Sequence, residues 1–240
     1  MNFTLVVFDV GGTLIHFNHT KIAPFYAAAA AERGTAIDSA QINTVLTQLE
    51  RDLPTLSRQR ALSLEKEFGK SFWDDFYAEG FRRLGIEGDT SRAVAEIRER
   101  FMRGEFETVY DDTLPALNAL KARHVPMGIV SNFSPNLEEV LQQQGIHDYF
   151  QFFIVSAIAG VEKPNPKIFD LAVEIAQHPR EEIVYVGDSV FHDMEGARAA
   201  GIAGVLIDRA NLYRDYDGVR LQDLNDLIKV LEKEKHGVRI

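Results

Sequence analysis

Asp9 closes a short apolar run, Leu5-Val6-Val7-Phe8, and Gly11, Gly12 and Thr13 follow almost at once. Three later apolar runs also end beside polar groups. The run at 127–130 leads into Ser131 and Asn132, a loop after 152–155 carries Lys163, and the run at 183–187 is followed by Asp188 and then Asp193. Taken singly, each has an ordinary explanation as a turn, a helix cap or a solvated lysine. Together they offer carboxylates, a hydroxyl and an ammonium, the set needed for phosphoryl transfer through an aspartate nucleophile. Neighbouring carboxylates raise each other's pKa unless a cation lies between them. Mg²⁺ suits that place, because it prefers oxygen ligands and keeps waters for a phosphate. The expected ligands are Asp9, Asp188 and the backbone carbonyl of Gly11. Ser131, Asn132, neighbouring amides and Lys163 are expected at the phosphate oxygens. Asp193 is expected behind them, holding Lys163 or a metal-bound water.

These groups act together only if the chain brings their strand ends to one rim. From about residue 106 onward, short β-rich runs at 127–130, 152–155, 183–187 and 204–207 alternate with helical patterns near 113–123, 135–144, 165–177 and 192–200. That alternation implies βαβ units and a parallel sheet, in which ligands bind at the carboxyl ends of the strands. From about 20 to 103 the spacing is helical instead, in segments at 21–34, 38–53, 56–69, 71–85 and 89–104. The expectation is therefore an α/β fold: a doubly wound, Rossmann-like core made of 1–16 and 106–240, with an all-helical cap at 17–105. A helix at 221–235 would close the core.

Composition narrows the partners. Of the 240 residues, 45% are hydrophobic and 26% charged, with a net charge of −10 and no cysteine. Disulfide and thiolate chemistry are excluded. The acidic balance disfavours nucleic acids and anionic membranes but allows a small anion at a local positive cluster. The first residues lack a basic, signal-like segment and no run reaches membrane-spanning length, so a cytoplasmic monomer or homodimer is expected.

The stretches "FDVGGTLI", "IVSN", "VEKPNPKIF" and "YVGDSVFHDMEGARAAGI" resemble, in order, the four motifs of the haloacid dehalogenase superfamily. The helical block after the first motif resembles that family's cap. The stretch from Ser131 to Phe169 is similar to the branch of haloacid dehalogenase-like hydrolase domain-containing proteins. The resemblance implies Asp9 as nucleophile and Mg²⁺ at Asp9, Asp188 and the Gly11 carbonyl. It implies Ser131 and Lys163 at the phosphate, the Thr13 hydroxyl near it, and Asp193 beside the metal.

One position departs from the pattern. Phosphatases of the family carry an acid/base aspartate two residues after the nucleophile, and here that residue is Gly11. Three readings follow: a substitute such as His16 or His19, a substrate whose leaving group needs no proton, or a protein that binds phosphorylated ligands with little or no catalysis. Dehalogenases of the family also lack the aspartate, but they need no Mg²⁺ and lack the glycine–aspartate pair that Gly187 and Asp188 form here. The leading expectation is a Mg²⁺-dependent phosphatase of a small phosphorylated metabolite; the alternatives are a phospho-ligand binder and a carbon–halogen hydrolase. In the cap, Phe72, Trp73, Phe76 and Tyr77 are expected to pack as core. Lys21, Lys66, Lys70, Arg51, Arg58 and Arg60 are its candidate cations.

Overall fold

Leu5–Phe8 is buried along its whole length because it is an interior strand of a parallel sheet, covered on both faces. The computed structural model describes residues 3–58, 60–64 and 70–234. In chain order the elements are β1 (Leu5–Phe8), β2 (Ile15–Phe17), α1 (His19–Ala31), α2 (Ser39–Leu56), α3 (Lys70–Arg83), α4 (Ser91–Phe101) and β3 (Glu107–Val109). There follow α5 (Thr113–Ala122), β4 (Met127–Ser131), α6 (Leu137–Gln143), β5 (Phe153–Val155), α7 (Ser156–Ala159), α8 (Pro166–Ala176) and β6 (Ile183–Gly187). The last are α9 (Gly196–Ala199), β7 (Ala203–Ile207), β8 (Val219–Leu221) and α10 (Leu227–Glu234).

The chain divides into two compact units, one of 1–16 with 109–240 and one of 17–108. In the first, six strands form a sheet in the order β5-β4-β1-β6-β7-β8, parallel throughout. The fold is thus the α/β, Rossmann-like arrangement that the alternating pattern implied. The chain builds outward from β1 on one side through β4 and β5, then returns to build outward through β6, β7 and β8. β1 and β6 therefore flank the point where strand order reverses, the place where such sheets bind ligands. Phe8 pairs with Ile129 of β4 and with Val186 of β6, which brings the carboxyl ends of all three strands level.

Local chemistry explains the helix starts. Asp38 caps α2, accepting from the Gln41 amide at 2.8 Å. Asn165 caps α8, accepting from Lys167, and Pro166 takes the first position, where no amide hydrogen is required. One sequence expectation fails here, and another is met in a different form. Residues 57–58 and 60–64 are not helical, and the remainder of the expected helix at 56–69 lies outside the described residues. At 192–200, a wide helical turn over Val190–Glu195 precedes the four-residue α9.

The second unit packs α1–α4 around aromatic rings. Tyr26 stacks on Phe81 with centroids 4.2 Å apart and donates to the Tyr77 carbonyl at 3.0 Å. A Cβ on Gly80 would lie 2.6 Å from the Tyr26 hydroxyl, so only glycine allows this approach. Phe72, Trp73, Phe76 and Tyr77 are all buried, as expected of core. Lys21 donates to the Glu107 carbonyl and Arg60 pairs with Asp75. Arg51 is exposed, Lys66 lies outside the described residues, and nothing is described of the Lys70 side chain. Among the described residues, no helix is long and apolar enough to cross a membrane.

Glu107 is 2% exposed, and burial pushes its carboxyl up to about 7. The folded protein thus binds a proton there that the unfolded chain has released above about pH 4.5. Stability from this group is lost as pH rises toward 7 and stays lost above it. Glu107→Gln is therefore expected to stabilise the protein at pH 8, by an amount on the order of 3 kcal/mol, and to have little effect near pH 4.5. Denaturant titrations at the two pH values check this; an equal effect at both would refute the assignment.

Candidate active site

The rim at the ends of β1, β4 and β6 gathers most of the residues singled out in the sequence. Asp9 follows β1 directly, and its amide donates to the Val186 carbonyl of β6 at 2.9 Å. Its Oδ1 accepts from Ser131 Oγ at 2.8 Å, and the Lys163 ammonium lies 2.7 Å away. Lys163 is 2% exposed and also reaches Asp193 Oδ1 at 2.6 Å and the Tyr185 hydroxyl at 2.9 Å. Asp193 Oδ2 accepts from the Ser189 amide at 2.9 Å. Asp9, Asp188 and Asp193 each bring a carboxylate oxygen into a group spanning no more than 4.8 Å.

The electrostatics are those of a crowded anionic pocket. Burial, and then the carboxylates of Asp193 and Asp9, push Asp188 well above the usual carboxylate range. Burial also raises Asp9, although Lys163 pulls it back. Burial alone would lower Lys163; the charges of Asp193 and Asp9 outweigh it, so the ammonium is held in its charged form. Three carboxylates therefore face one ammonium.

Two glycines make room for this crowding. Gly12 has φ +75°, and a Cβ there would fall 2.2 Å from Asp188 Oδ2. A Cβ on Gly187 would fall 2.4 Å from the Asp193 carboxyl carbon. Gly11 is different: it lies outside the left-handed region, and its Cβ would meet nothing within 4 Å. The backbone does not require glycine there.

The other expected residues fall as follows. Asn132 does not present a free amide to the rim: its Oδ1 accepts from the Lys163 amide at 2.8 Å and its Nδ2 donates to the Lys163 carbonyl at 2.9 Å. Thr13 is fully buried, its Oγ1 has no hydrogen-bond partner among the described residues, and its carbonyl accepts from Arg209 at 2.8 Å. His16 packs its ring on Tyr110, 4.7 Å between centroids. His19, in the second unit, pairs with Glu50 at 2.9 Å.

Sequence reasoning passed over two residues that shape this rim. Tyr185 sits inside an apolar strand, where a tyrosine reads as core. Arg209 follows β7 and binds both oxygens of Asp112, at 2.7 and 2.9 Å, while holding the loop after Asp9 through Thr13. Only their spacing past a strand, or within one, was visible beforehand.

The rim fits a divalent cation on its own chemistry. Its donors are all oxygens, their charge exceeds that of Lys163, and Gly12 leaves the cradle that a Cβ would fill. The residues that would hold it are Asp9 and Asp188.

Comparison with known proteins agrees with this fold. The chain is 30% identical to a glyceraldehyde 3-phosphate phosphatase of Methanopyrus kandleri, covering 92% of this chain and 90% of that protein. It is 29% identical to haloacid dehalogenase-like hydrolase domain-containing protein 3 of Xenopus laevis, over 86% of this chain and 85% of the relative. A magnesium-bound HAD-hydrolase, YfnB of Bacillus subtilis, superposes with a TM-score of 0.72 at 19% identity, covering 97% of this chain and all (100%) of that one. Residues 3–201 match the family model for haloacid dehalogenase-like hydrolases, and the chain belongs to that family.

Proposed function

We propose that this hydrolase is a Mg²⁺-dependent phosphatase of small phosphorylated metabolites, acting through an aspartyl-phosphate on Asp9. The observation that carries this reading is the excess of carboxylate at the rim: Asp9, Asp188 and Asp193 against Lys163 alone. A metal-free carbon–halogen hydrolase has no use for that excess, which costs stability unless a cation offsets it. The similarity to a glyceraldehyde 3-phosphate phosphatase supports the same substrate class.

An Asp9 oxygen attacks phosphorus, and the bond from phosphorus to the leaving oxygen breaks with its electron pair on that oxygen. Ser131 and Lys163 donate to the phosphoryl oxygens as charge develops on them. Water then attacks phosphorus, releasing phosphate and restoring the Asp9 carboxylate. Bound at Asp9 and Asp188, Mg²⁺ would neutralise charge on the phosphoryl group. Asn132 fixes the main chain of Lys163, and Asp193 its ammonium. Turnover of an aryl phosphate with Mg²⁺, abolished in Asp9→Asn, tests the reading; an unchanged rate in Asp9→Asn would overturn it.

The metal site has its own test. A ligand that binds only the folded form raises Tm by mass action. Millimolar Mg²⁺ is expected to raise the wild-type Tm and to leave Asp188→Asn unmoved. Without metal, Asp188→Asn should melt higher than wild type, because it removes a buried carboxylate from beside two others. A wild type indifferent to Mg²⁺, with and without a phosphate mimic, would refute the site.

Gly11 sets the leaving-group range. With no carboxyl at this position, the leaving oxygen departs with its charge, which aryl and acyl phosphates tolerate and alkyl phosphates do not. Wild type should therefore favour aryl over alkyl phosphates steeply. Gly11→Asp should fold, given the open space at its Cβ, and recover part of the roughly 10²–10⁴-fold contribution of a general acid on alkyl substrates. Matched aryl and alkyl phosphates measured on both proteins decide the matter; equal wild-type rates would mean another group already supplies the proton.

A further inference from the structure

Lys163 has three ammonium hydrogens and is sealed from water, so each needs an acceptor inside the protein. Asp9 Oδ1 and Asp193 Oδ1 lie 2.7 and 2.6 Å from Nζ, and the Tyr185 hydroxyl lies 2.9 Å from it. The three acceptors match the three donors. They differ in what the reaction does to them. Asp9 is the attacking group in the reading above, on which this inference rests, so its hold on the lysine must loosen during turnover. Asp193 and Tyr185 take no part in bond making and stay in place.

The tyrosine is itself well fixed. It sits in β6, buried, with its ring edge-on to Phe169 at 4.9 Å. Its hydroxyl reaches across β1 to the Val130 carbonyl of β4, 2.8 Å away, and lies 3.1 Å from Asp193 Oδ1. A phenol has one hydrogen to donate. Spent on the shorter contact to Val130, it leaves the oxygen's lone pairs facing Lys163. The hydroxyl is also uncharged, so it takes up one N–H without adding a fourth negative charge to the rim.

We propose that Tyr185 is a positioning residue for Lys163: together with Asp193 it anchors two of the three ammonium hydrogens, so that the third can pass from Asp9 to a phosphoryl oxygen. Without the hydroxyl, one N–H is left buried and unmatched. The ammonium then settles further onto the carboxylates, and a tighter bond to Asp9 draws charge from the nucleophile.

Tyr185→Phe keeps the ring against Phe169 and removes only the hydroxyl. With an aryl phosphate and Mg²⁺, its kcat is expected to fall about 10–100-fold, the range typical for loss of a group that orients a reacting one, with a smaller change in KM. In a Lys163→Met background the same substitution should change the residual rate little, because the effect runs through the lysine. The ammonium can also be observed directly. In ¹H–¹⁵N spectra the Lys163 NζH₃⁺ signal, assigned by its loss in Lys163→Met, should be protected from exchange in wild type and show a nuclear Overhauser contact to the Tyr185 ring. It should broaden or vanish in Tyr185→Phe. A lower Tm with unchanged kcat would mean that the hydroxyl serves only the sheet and would overturn the proposal. So would an unchanged ammonium signal in Tyr185→Phe, or no ring contact in wild type. If wild type proves inactive on phosphates, the reading of function fails and the spectra alone decide the role of Tyr185.

Discussion

The contact between the buried Lys163 ammonium and the carboxylates of Asp9 and Asp193 is the constraint from which the rest of the rim follows. An ammonium this deep is tolerable only when fully paired, since removing one partner of a buried ion pair costs about 3–5 kcal/mol. The surroundings meet that demand from several directions. Asn132 grips the lysine's own amide and carbonyl, and the Ser189 amide holds the far oxygen of Asp193. Each of these groups comes from a different stretch of chain: the end of β4, the loop before α8, and the turn after β6. The ion pair thus ties three strand ends together, and the sheet supplies the rigidity that keeps the pairing exact enough to be stable.

Carboxylates at this density need space as well as charge balance. Gly12 and Gly187 supply it by having no side chain where Asp188 and Asp193 lie. Gly11, one residue from Gly12, is under no such pressure. Two adjacent glycines that look equivalent in sequence therefore do different things. One is required by packing, and the other stands where the structure has room for a side chain.

That contrast shows what was legible in the sequence. β1, β4, β6 and β7 were readable because strands buried on both faces carry continuous Val, Ile and Leu runs, and the polar residues ending them stood out against that background. β2, β3 and β8 are three residues each and lack the continuous apolar run that made the equally short β5 readable. The helical spacing at 56–69 was misleading in its described part: α2 stops at Leu56, and the Trp73 indole donates to the Leu62 carbonyl, a tertiary contact that local spacing cannot reveal. Asn132 was legible as a polar residue in the right place, but its partners were not, because the Lys163 backbone is brought to it by the loop from β5. Tyr185 was hidden by its setting. A tyrosine in an apolar strand looks like core, and only the position of its hydroxyl distinguishes it.

The strand order also explains why the proposed nucleophile sits where it does. Neighbouring strands lie about 4.8 Å apart, so a short side chain such as serine or aspartate at the end of one strand reaches the next but not the one beyond. β1 lies between β4 and β6. Asp9 therefore touches Ser131, which ends β4, and lies near Asp188, which follows β6. On the proposed reading, donors for the phosphate come from the β4 side of the attacking oxygen and ligands for a cation from the β6 side. The proposed attacking carboxylate stands on the strand between the two sets. Lys163 and Tyr185 also link these strand ends: the lysine is paired with Asp9 and Asp193, and the tyrosine reaches from β6 over β1 to β4. The central place of β1 in the sheet and the central place proposed for Asp9 in the chemistry share one geometric origin.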